Sequence, residues 1–115
     1  MSRSQNLNEL RAIIKDLRPI MVEAVKAGQK VLVAGMQRRC PVGKGPLRKS
    51  IHATRVGVGR TSAGGSVVVG TKHAIPVEFG TIHRAETPFV RPTAEADGPK
   101  AEAEMIRVIK RGTGQ

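Results

Sequence analysis

Residues 40–51, which read CPVGKGPLRKSI, separate two parts of the chain that have different sequence patterns. Upstream, over residues 7–36, apolar residues recur mostly every three or four positions, which is typical of one face of a helix. Downstream, residues 50–58 read SIHATRVGV and residues 66–71 read SVVVGT, and both segments are rich in β-branched residues, as strands are. A helix, a turn and then strands predict an α+β fold.

The N-terminal pattern predicts two helices. Pro19 lacks an amide proton and clashes with the preceding turn, so we expect a short helix that ends near Asp16 and a longer helix that begins at Pro19. A kink within one helix is the alternative. Arg38 and Arg39 suit the negative end of a helix dipole, and the Gly- and Pro-rich residues 41–46 should form a turn or loop after it.

The two strands should pair as an antiparallel hairpin in a small sheet. The connecting residues 59–65 are too long for a two-residue turn and rich in glycine, so we expect a long, mobile loop whose tip carries Arg60 and can become ordered on a partner. Residues 73–80 are largely apolar, but Pro76 is unfavourable in a central strand. A helical turn or an edge strand is expected there.

A final helical region should follow Pro92. Met105, Ile106 and Ile109 provide an apolar stripe with helical spacing. The Asp-Gly-Pro sequence at residues 97–99 should interrupt this region, because aspartate suits a helix cap and proline suits the first helical position. We therefore expect two C-terminal helical pieces.

Length and composition predict one domain, residues 1–115, with flexible ends at 1–6 and 112–115. The aromatic residues are Phe79 and Phe89, without any Trp or Tyr, so the core must be aliphatic and small. A protomer of this kind gains stability from neighbours that bury more of its apolar surface. Assembly with other subunits is the natural expectation.

Positive charge is concentrated in the middle of the chain. The formal net charge is +11, and residues 30–60 contain no Asp or Glu, whereas the sequence from Arg84 onward is nearly balanced. Such a field attracts phosphate backbones or an acidic protein face, and the attraction weakens with salt. The alternative is a solvated face that aids solubility. The basic residues of the segment are Lys30, Arg38, Arg39, Lys44, Arg48, Lys49, Arg55 and Arg60.

The residues that usually carry catalysis or hold metals are scattered. His52, His73 and His83 lack the spacing that brings two ligands to one metal, and Cys40, the single cysteine, is better interpreted as a small apolar side chain than as a nucleophile. We therefore expect no enzymatic activity, no metal and no cofactor. The sequence contains neither a signal-peptide pattern nor an apolar run of membrane-spanning length, which predicts folding in the cytoplasm.

Two motifs are more specific than the patterns of helix and strand. The first is residues 40–51, and the second is VEFGT at residues 77–81 followed by TPFVRP at residues 87–92. Their order and spacing resemble the tailed-phage neck family of head-tail joining or tail-completion proteins, in which a long helix, a turn of the PVxTGxLRxSI type, VEFGT and PFLRP precede a final helix. Lys44 stands where that family usually has threonine.

The resemblance implies a structural virion protein that forms a ring, a hexameric homo-oligomer, in the neck between the head connector and the tail. Its implied partners are the other neck and tail proteins, namely the stopper or connector and the tail terminator or tail tube, with non-specific contact to DNA in transit. It would lie in the virion neck or tail after assembly in the host cytoplasm. A tail terminator and a non-specific nucleic-acid-binding protein are the alternatives.

Two sets of residues are candidates for function and for structure. Gly80 permits a left-handed backbone turn after Phe79, and the phenylalanine side chains should fill the core. The expected structural anchors are Phe79, Gly80, Pro88, Phe89 and Pro92. The candidates for contact with other subunits or DNA are Arg38, Arg39, Lys44, Arg48, Lys49, Arg55, Arg60, Glu78 and Arg91.

Overall fold

Two long helices pack beside a small antiparallel sheet in the computed structural model, which describes residues 3–40, 45–59, 62–70, 73–83 and 90–114, with side chains from residue 17 onward. The predicted α+β class is confirmed. The helices are α1 (Arg3–Arg39), α2 (Gly45–Lys49) and α3 (Arg91–Gly112), and the strands are β1 (His52–Ala53), β2 (Gly57–Val58), β3 (Ala63–Val69), β4 (His73–Glu78) and β5 (Thr81–Ile82).

Helix α1 continues through Pro19, so the predicted division near Asp16 was wrong and the alternative of a single helix is correct. Pro19 is exposed, while Met21, Ala24 and Val25 in the next turns are buried in the core. Packing of these turns offsets the hydrogen bond that the proline cannot make. The loop expected at residues 41–46 is also shorter than predicted, since α2 begins at Gly45; residues 41–44 lie outside the described residues.

Strand β3 is the centre of the sheet and confirms the antiparallel hairpin. It pairs with β1 and β2 on one side and with β4 on the other. The expected strand over residues 50–58 is divided into β1 and β2, and between them the Thr54 amide donates to the Ser66 carbonyl at 2.8 Å. Strand β3 begins at Ala63 rather than Ser66, which shortens the loop; its predicted tip, Arg60, lies outside the described residues.

Strand β4 contains Pro76 and still pairs on both sides, so the expectation of a helical turn or edge strand there was wrong. The Pro76 carbonyl accepts a hydrogen bond from the His83 amide at 3.1 Å, so the backbone polar groups of Pro76 point away from β3. The missing amide proton therefore removes no bond from the ladder to β3, and the register Ser66↔Pro76 is kept.

Helix α3 is continuous through Pro99, so the predicted interruption at residues 97–99 was wrong. Asp97 does not cap a second helix; it is buried against α1, and Gly98 lies beside Ile82 of β5. The Glu102 carboxylate also accepts from the Ile82 amide at 3.0 Å. These contacts hold the helix on both sides of the proline.

The core lies between α1, α3 and one face of the sheet. Leu32, Ile75 and Met105 are among its largest fully buried side chains. The stripe of α3 differs from the expected one, because Ile106 is exposed while Met105 and Val108 are buried. Gln29 is buried as well, and its Nε2 donates to the carbonyls of Thr54 and Ser66 at 3.1 Å each. It thereby joins α1 to the sheet.

Helices α1 and α3 run antiparallel at close range through glycines. Gly35 lies against Asp97, Gly28 against Met105, and Gly112 of α3 against Ile20. Helix α1 continues from that level for 17 further residues toward Arg3, roughly 25 Å at 1.5 Å per residue. The molecule accordingly measures 63 × 26 × 21 Å.

Candidate docking surfaces

Exposed cations meet at the C-terminal end of α1. Arg48 and Lys49 of α2 are both exposed, and Arg48 Nη2 donates to the Gln37 carbonyl at 3.0 Å, which places α2 beside this end of the helix. Arg38, 63% exposed, lies one residue further along α1. The negative end of the helix dipole stabilises these charges. We call Arg38, Arg48 and Lys49 the basic end.

Arg39 has a different role, since it holds the two long helices together. Its Nη1 lies 2.6 Å from Asp97 Oδ2 and 3.5 Å from Thr93 Oγ1. Asp97 is only 1% exposed, and Arg38 Nη2 approaches the same oxygen at 3.4 Å. The structure thus places Arg39 in an internal ion pair between α1 and α3.

The electrostatics of Asp97 are set by a balance of opposing effects. Burial would raise the pKa of this carboxyl, but the hydrogen bond and charge of Arg39, with further help from Arg38 and Lys100, lower its pKa below the ordinary value. The carboxylate therefore stays ionised in the fold and contributes stability as an anion.

The other candidate contact residues are distributed over separate surfaces. Arg55 is exposed between β1 and β2. Glu78, at the end of β4, has its Oε2 3.2 Å from His83 Nε2, and Arg91 Nε donates to Glu95 at 2.9 Å. Lys44 and Arg60 lie outside the described residues.

Three of the expected structural anchors lie in the described part. Gly80 has a φ of +79°, which confirms the left-handed turn. Phe79 is half-buried and packs against the core without filling it as expected, whereas Val77 is fully buried. Pro92 occupies the first turn of α3, where a missing amide proton costs little. Pro88 and Phe89 lie outside the described residues.

A groove of about 900 Å³ runs between α1 and α3. Its floor is apolar and is formed by Ala27, Val31, Ala34 and Val108. At roughly 100° per residue, the floor residues of α1 lie nearly opposite Gln29, which bonds the sheet, so the groove opens on the face of the helix pair away from the sheet. Its rims carry Glu23, Lys26, Lys30, Arg38, Lys100, Glu104, Arg107 and Arg111. We call this the interhelical groove.

The rims of the interhelical groove are strongly positive. Six cationic and two acidic side chains leave a formal excess of four positive charges. Arg107 and Glu104 form an ion pair, with Arg107 Nε 3.1 Å from Glu104 Oε2. The hydrogen bond from Arg107 lowers the pKa of Glu104, and the same bond raises the pKa of Arg107. The remaining cations keep the rim positive.

The sequence alone did not indicate the groove, because the two rims of the groove are about 70 residues apart in the chain. The C-terminal rim also falls in the segment whose total charge is almost balanced. A signal was present in the spacing: Lys26 and Lys30 are separated by one helical turn, as are Arg107 and Arg111. Only the packing of α1 on α3 brings the two stripes together.

Other kinds of site are not indicated within the described ranges. No helix there is long and apolar enough to cross a membrane. The same residues contain no group of three His, Cys, Asp or Glu side chains that could hold a metal ion. Cys40 is a buried thiol at the end of α1, as its interpretation as a small apolar side chain predicted.

Comparison with known proteins identifies the family of the chain. No curated protein and no solved structure matches the chain significantly. A family model described as "Bacteriophage HK97-gp10, putative tail-component" matches residues 4–80, more than half of the chain, from α1 through Gly80. This confirms the resemblance to a phage tail family; the match covers the first motif and ends within the second, before residues 87–92. The chain belongs to the HK97-gp10-like family of bacteriophage tail components.

Proposed function

We propose that this tail component is a ring subunit of the phage neck, which joins the head connector to the tail in the manner of a tail-completion or head-tail joining protein. The membership of the chain in a phage tail family supports a structural role in the virion. The observation that carries the proposal is the basic end: within the described residues, no carboxylate forms an ion pair with Arg48 or Lys49. These exposed charges are available to an acidic neighbour.

Subunits of one kind can associate into a closed ring. In a closed ring each subunit presents two different surfaces to its neighbours, and opposite charges on them determine register. The basic end provides one such surface, and Glu78 and Arg91 lie on other surfaces of the subunit. We propose a hexamer whose ring stacks on the stopper or connector on one side and on the tail terminator or tail tube on the other, with DNA passing through it.

The contacts of this ring should be mainly polar. Among the described residues, two large hydrophobic side chains are exposed to solvent: Val58 (47%) and Ile106 (46%). Two isolated side chains form no apolar patch of the size that drives association. Charge complementarity is then the stronger contribution to docking at these surfaces.

Charge reversal of the basic end tests the proposal. A phage that carries Arg48→Glu with Lys49→Glu should produce filled heads and separate tails, seen by electron microscopy of the lysate, because the reversed charges repel the acidic neighbour. The purified variant should keep its circular dichroism spectrum, since both side chains are exposed and the hydrogen bond lost at Arg48 joins only the five-residue α2 to α1. The matched control is Arg18→Glu with Lys110→Glu, which makes the same change in charge at exposed positions elsewhere.

The result is decisive in either direction. Joined, infectious particles from the control and unjoined heads and tails from the basic-end variant would support the neck role. Normal particles from the basic-end variant would contradict it. Native mass spectrometry of the wild-type protein should show six copies, and a protein that remains monomeric at high concentration and is absent from mature virions would refute the ring.

A further inference from the structure

We infer that the interhelical groove is a docking site for an acidic amphipathic helix of a neighbouring virion protein. The inference rests on the proposed function only in that it takes the partner to be a virion protein. The binding itself is inferred from the shape and charge of the groove. Arg48 and Lys49 do not line it. Arg38 belongs to both the groove rim and the basic end, but the two residues changed in the test of the neck role lie outside the groove, so the two surfaces can be tested separately.

The shape of the groove fits a third helix. Its walls are helices in antiparallel contact, and its floor residues recur at helical spacing along α1, at Ala27, Val31 and Ala34. Alanine at two of these positions permits a close approach of backbones, and helices pack at about 8–10 Å between axes when the contact side chains allow it. A helix laid along this floor would bury its own apolar face there.

The charge of the groove defines the other face of that helix. Cations outnumber carboxylates on the rims, and these cations include Lys26, Lys30 and Arg111. One of the two rim carboxylates is already paired with Arg107. A helix with its apolar side on the floor directs its flanking side chains toward these rims. Those side chains should be Asp or Glu.

A second copy of this chain cannot supply such a helix. The whole sequence has 9 acidic residues against 20 Lys and Arg. In the described part, Asp97 is buried and Glu23 and Glu104 already lie on the groove rims. The remaining described carboxylates have partners within the chain, and these are Glu78, Glu95 and Glu102. We therefore assign the acidic segment to another protein.

Nucleic acid fits the groove less well than a helix does. Phosphate contacts require donors where the backbone lies, and the floor offers alanine and valine side chains. Single-stranded nucleic acid also needs aromatic side chains for base stacking, and the chain has two phenylalanines and neither Trp nor Tyr. The rims alone would give DNA only non-specific attraction.

Binding of defined probes to the full-length protein tests the inference. The probe is a fluorescent 18-residue helical peptide with leucine on one face and glutamate on the others, and the comparisons are a scrambled peptide of the same composition and a 20-base-pair duplex. Fluorescence anisotropy should show that the helical peptide binds at least tenfold more tightly than the scrambled one. The duplex should bind more weakly than the helical peptide at physiological salt.

Variants separate the rims, the floor and overall charge. Lys30→Glu with Arg111→Glu should weaken peptide binding at least tenfold, whereas Arg18→Glu with Lys110→Glu, an equal change in charge outside the groove, should change it less than twofold. Ala34→Gln adds a polar side chain to the floor at constant charge; Ala34 is exposed, so the fold should tolerate it, and peptide binding should fall about fivefold while duplex binding stays unchanged.

Three outcomes would overturn the inference. Equal binding of the helical and scrambled peptides would show that the groove does not select a helix. Equal loss in the two charge variants would show attraction to net charge alone. Tighter binding of the duplex, lost in the groove variant, would identify a nucleic-acid site. Unjoined particles from the basic-end variant with normal peptide binding would support both proposals, since Arg48 and Lys49 lie outside the groove.

Discussion

Asp97 shows how much of this fold depends on single residues that meet across the chain. The sequence predicted it as a helix cap, because Asp-Gly-Pro is typical of a new helix start. In the structure its carboxylate lies against Arg39, 58 residues away. Local sequence patterns contain no information about such a distant partner. Gly80, by contrast, was predicted correctly, since its requirement is local: a left-handed φ that glycine adopts readily.

Replacing Asp97 should lower stability measurably. Asp97→Asn keeps the side-chain shape but leaves Arg38 and Arg39 without their counter-charge, so we expect a loss of about 1–3 kcal/mol in the free energy of unfolding measured with urea. The control is Glu95→Gln, an exposed carboxylate on the same helix, which should cost less than about 0.5 kcal/mol. A similar loss in both variants would contradict the role of the buried pair.

The same substitution predicts a pH dependence. The pKa of Asp97 is lowered in the folded state, so its contribution is fully present above the ordinary value of 3.8 and is lost as pH falls through the folded pKa. The stability difference between wild type and Asp97→Asn should therefore be constant near neutral pH and shrink below pH 3.8. A difference that grows on acidification would contradict this sign.

At the scale of the elements, the two glycines of α1 that face α3 have unequal neighbours. A Cβ at Gly28 would lie 3.0 Å from Met105 Cγ and Sδ, part of a flexible side chain. A Cβ at Gly35 would overlap the Asp97 carboxylate, which Arg39 holds in place. The helices can therefore adapt at Gly28 much more readily than at Gly35.

This difference predicts unequal effects of the same substitution at the two positions. Gly28→Ala should change stability by less than about 1 kcal/mol, because the gain in helix propensity offsets the displacement of Met105. Gly35→Ala should destabilise by at least about 2 kcal/mol, because it displaces the buried ion pair as well. Thermal or urea unfolding measures the stability of the two variants. Equal stabilities would show that α1 and α3 are farther apart at Gly35 than the structure shows.

Prolines explain where the predicted elements failed. The sequence placed helices and strands in the correct order, because apolar periodicity and β-branched residues are local signals. It placed false ends at Pro19 and Pro99 and a false limit on β4 at Pro76, because the cost of a proline depends on what packs around it. The sequence does not show that the turns beside these prolines are buried, or that the carbonyl of Pro76 faces His83.

At the scale of the whole molecule, a net charge of +11 should make assembly sensitive to salt. The screening length falls from about 10 Å at 0.1 M to about 3 Å at 1 M salt. The proposed ring should therefore dissociate toward monomers over this range in analytical ultracentrifugation, while circular dichroism stays unchanged because the core is aliphatic. A ring whose sedimentation coefficient is independent of salt would contradict this expectation and indicate apolar contacts between subunits.

The candidate site was only half predictable at this scale. The basic end follows from a continuous stretch of sequence, and its exposure was expected. The interhelical groove required knowledge of which faces of α1 and α3 meet, and that depends on the glycine contacts and the ion pair rather than on composition.

The unequal lengths of the two long helices have a mechanical consequence. Helix α3 ends beside Ile20 of α1, and α1 continues beyond that level for about 25 Å at 1.5 Å per residue. A bend of about 10° in α1 at that level would displace its far end by roughly 4 Å, while the Arg39–Asp97 pair and the glycine contacts keep the rest of α1 on α3. A small bend beside the end of α3 would thus be amplified into a displacement that changes what the far end of α1 can contact.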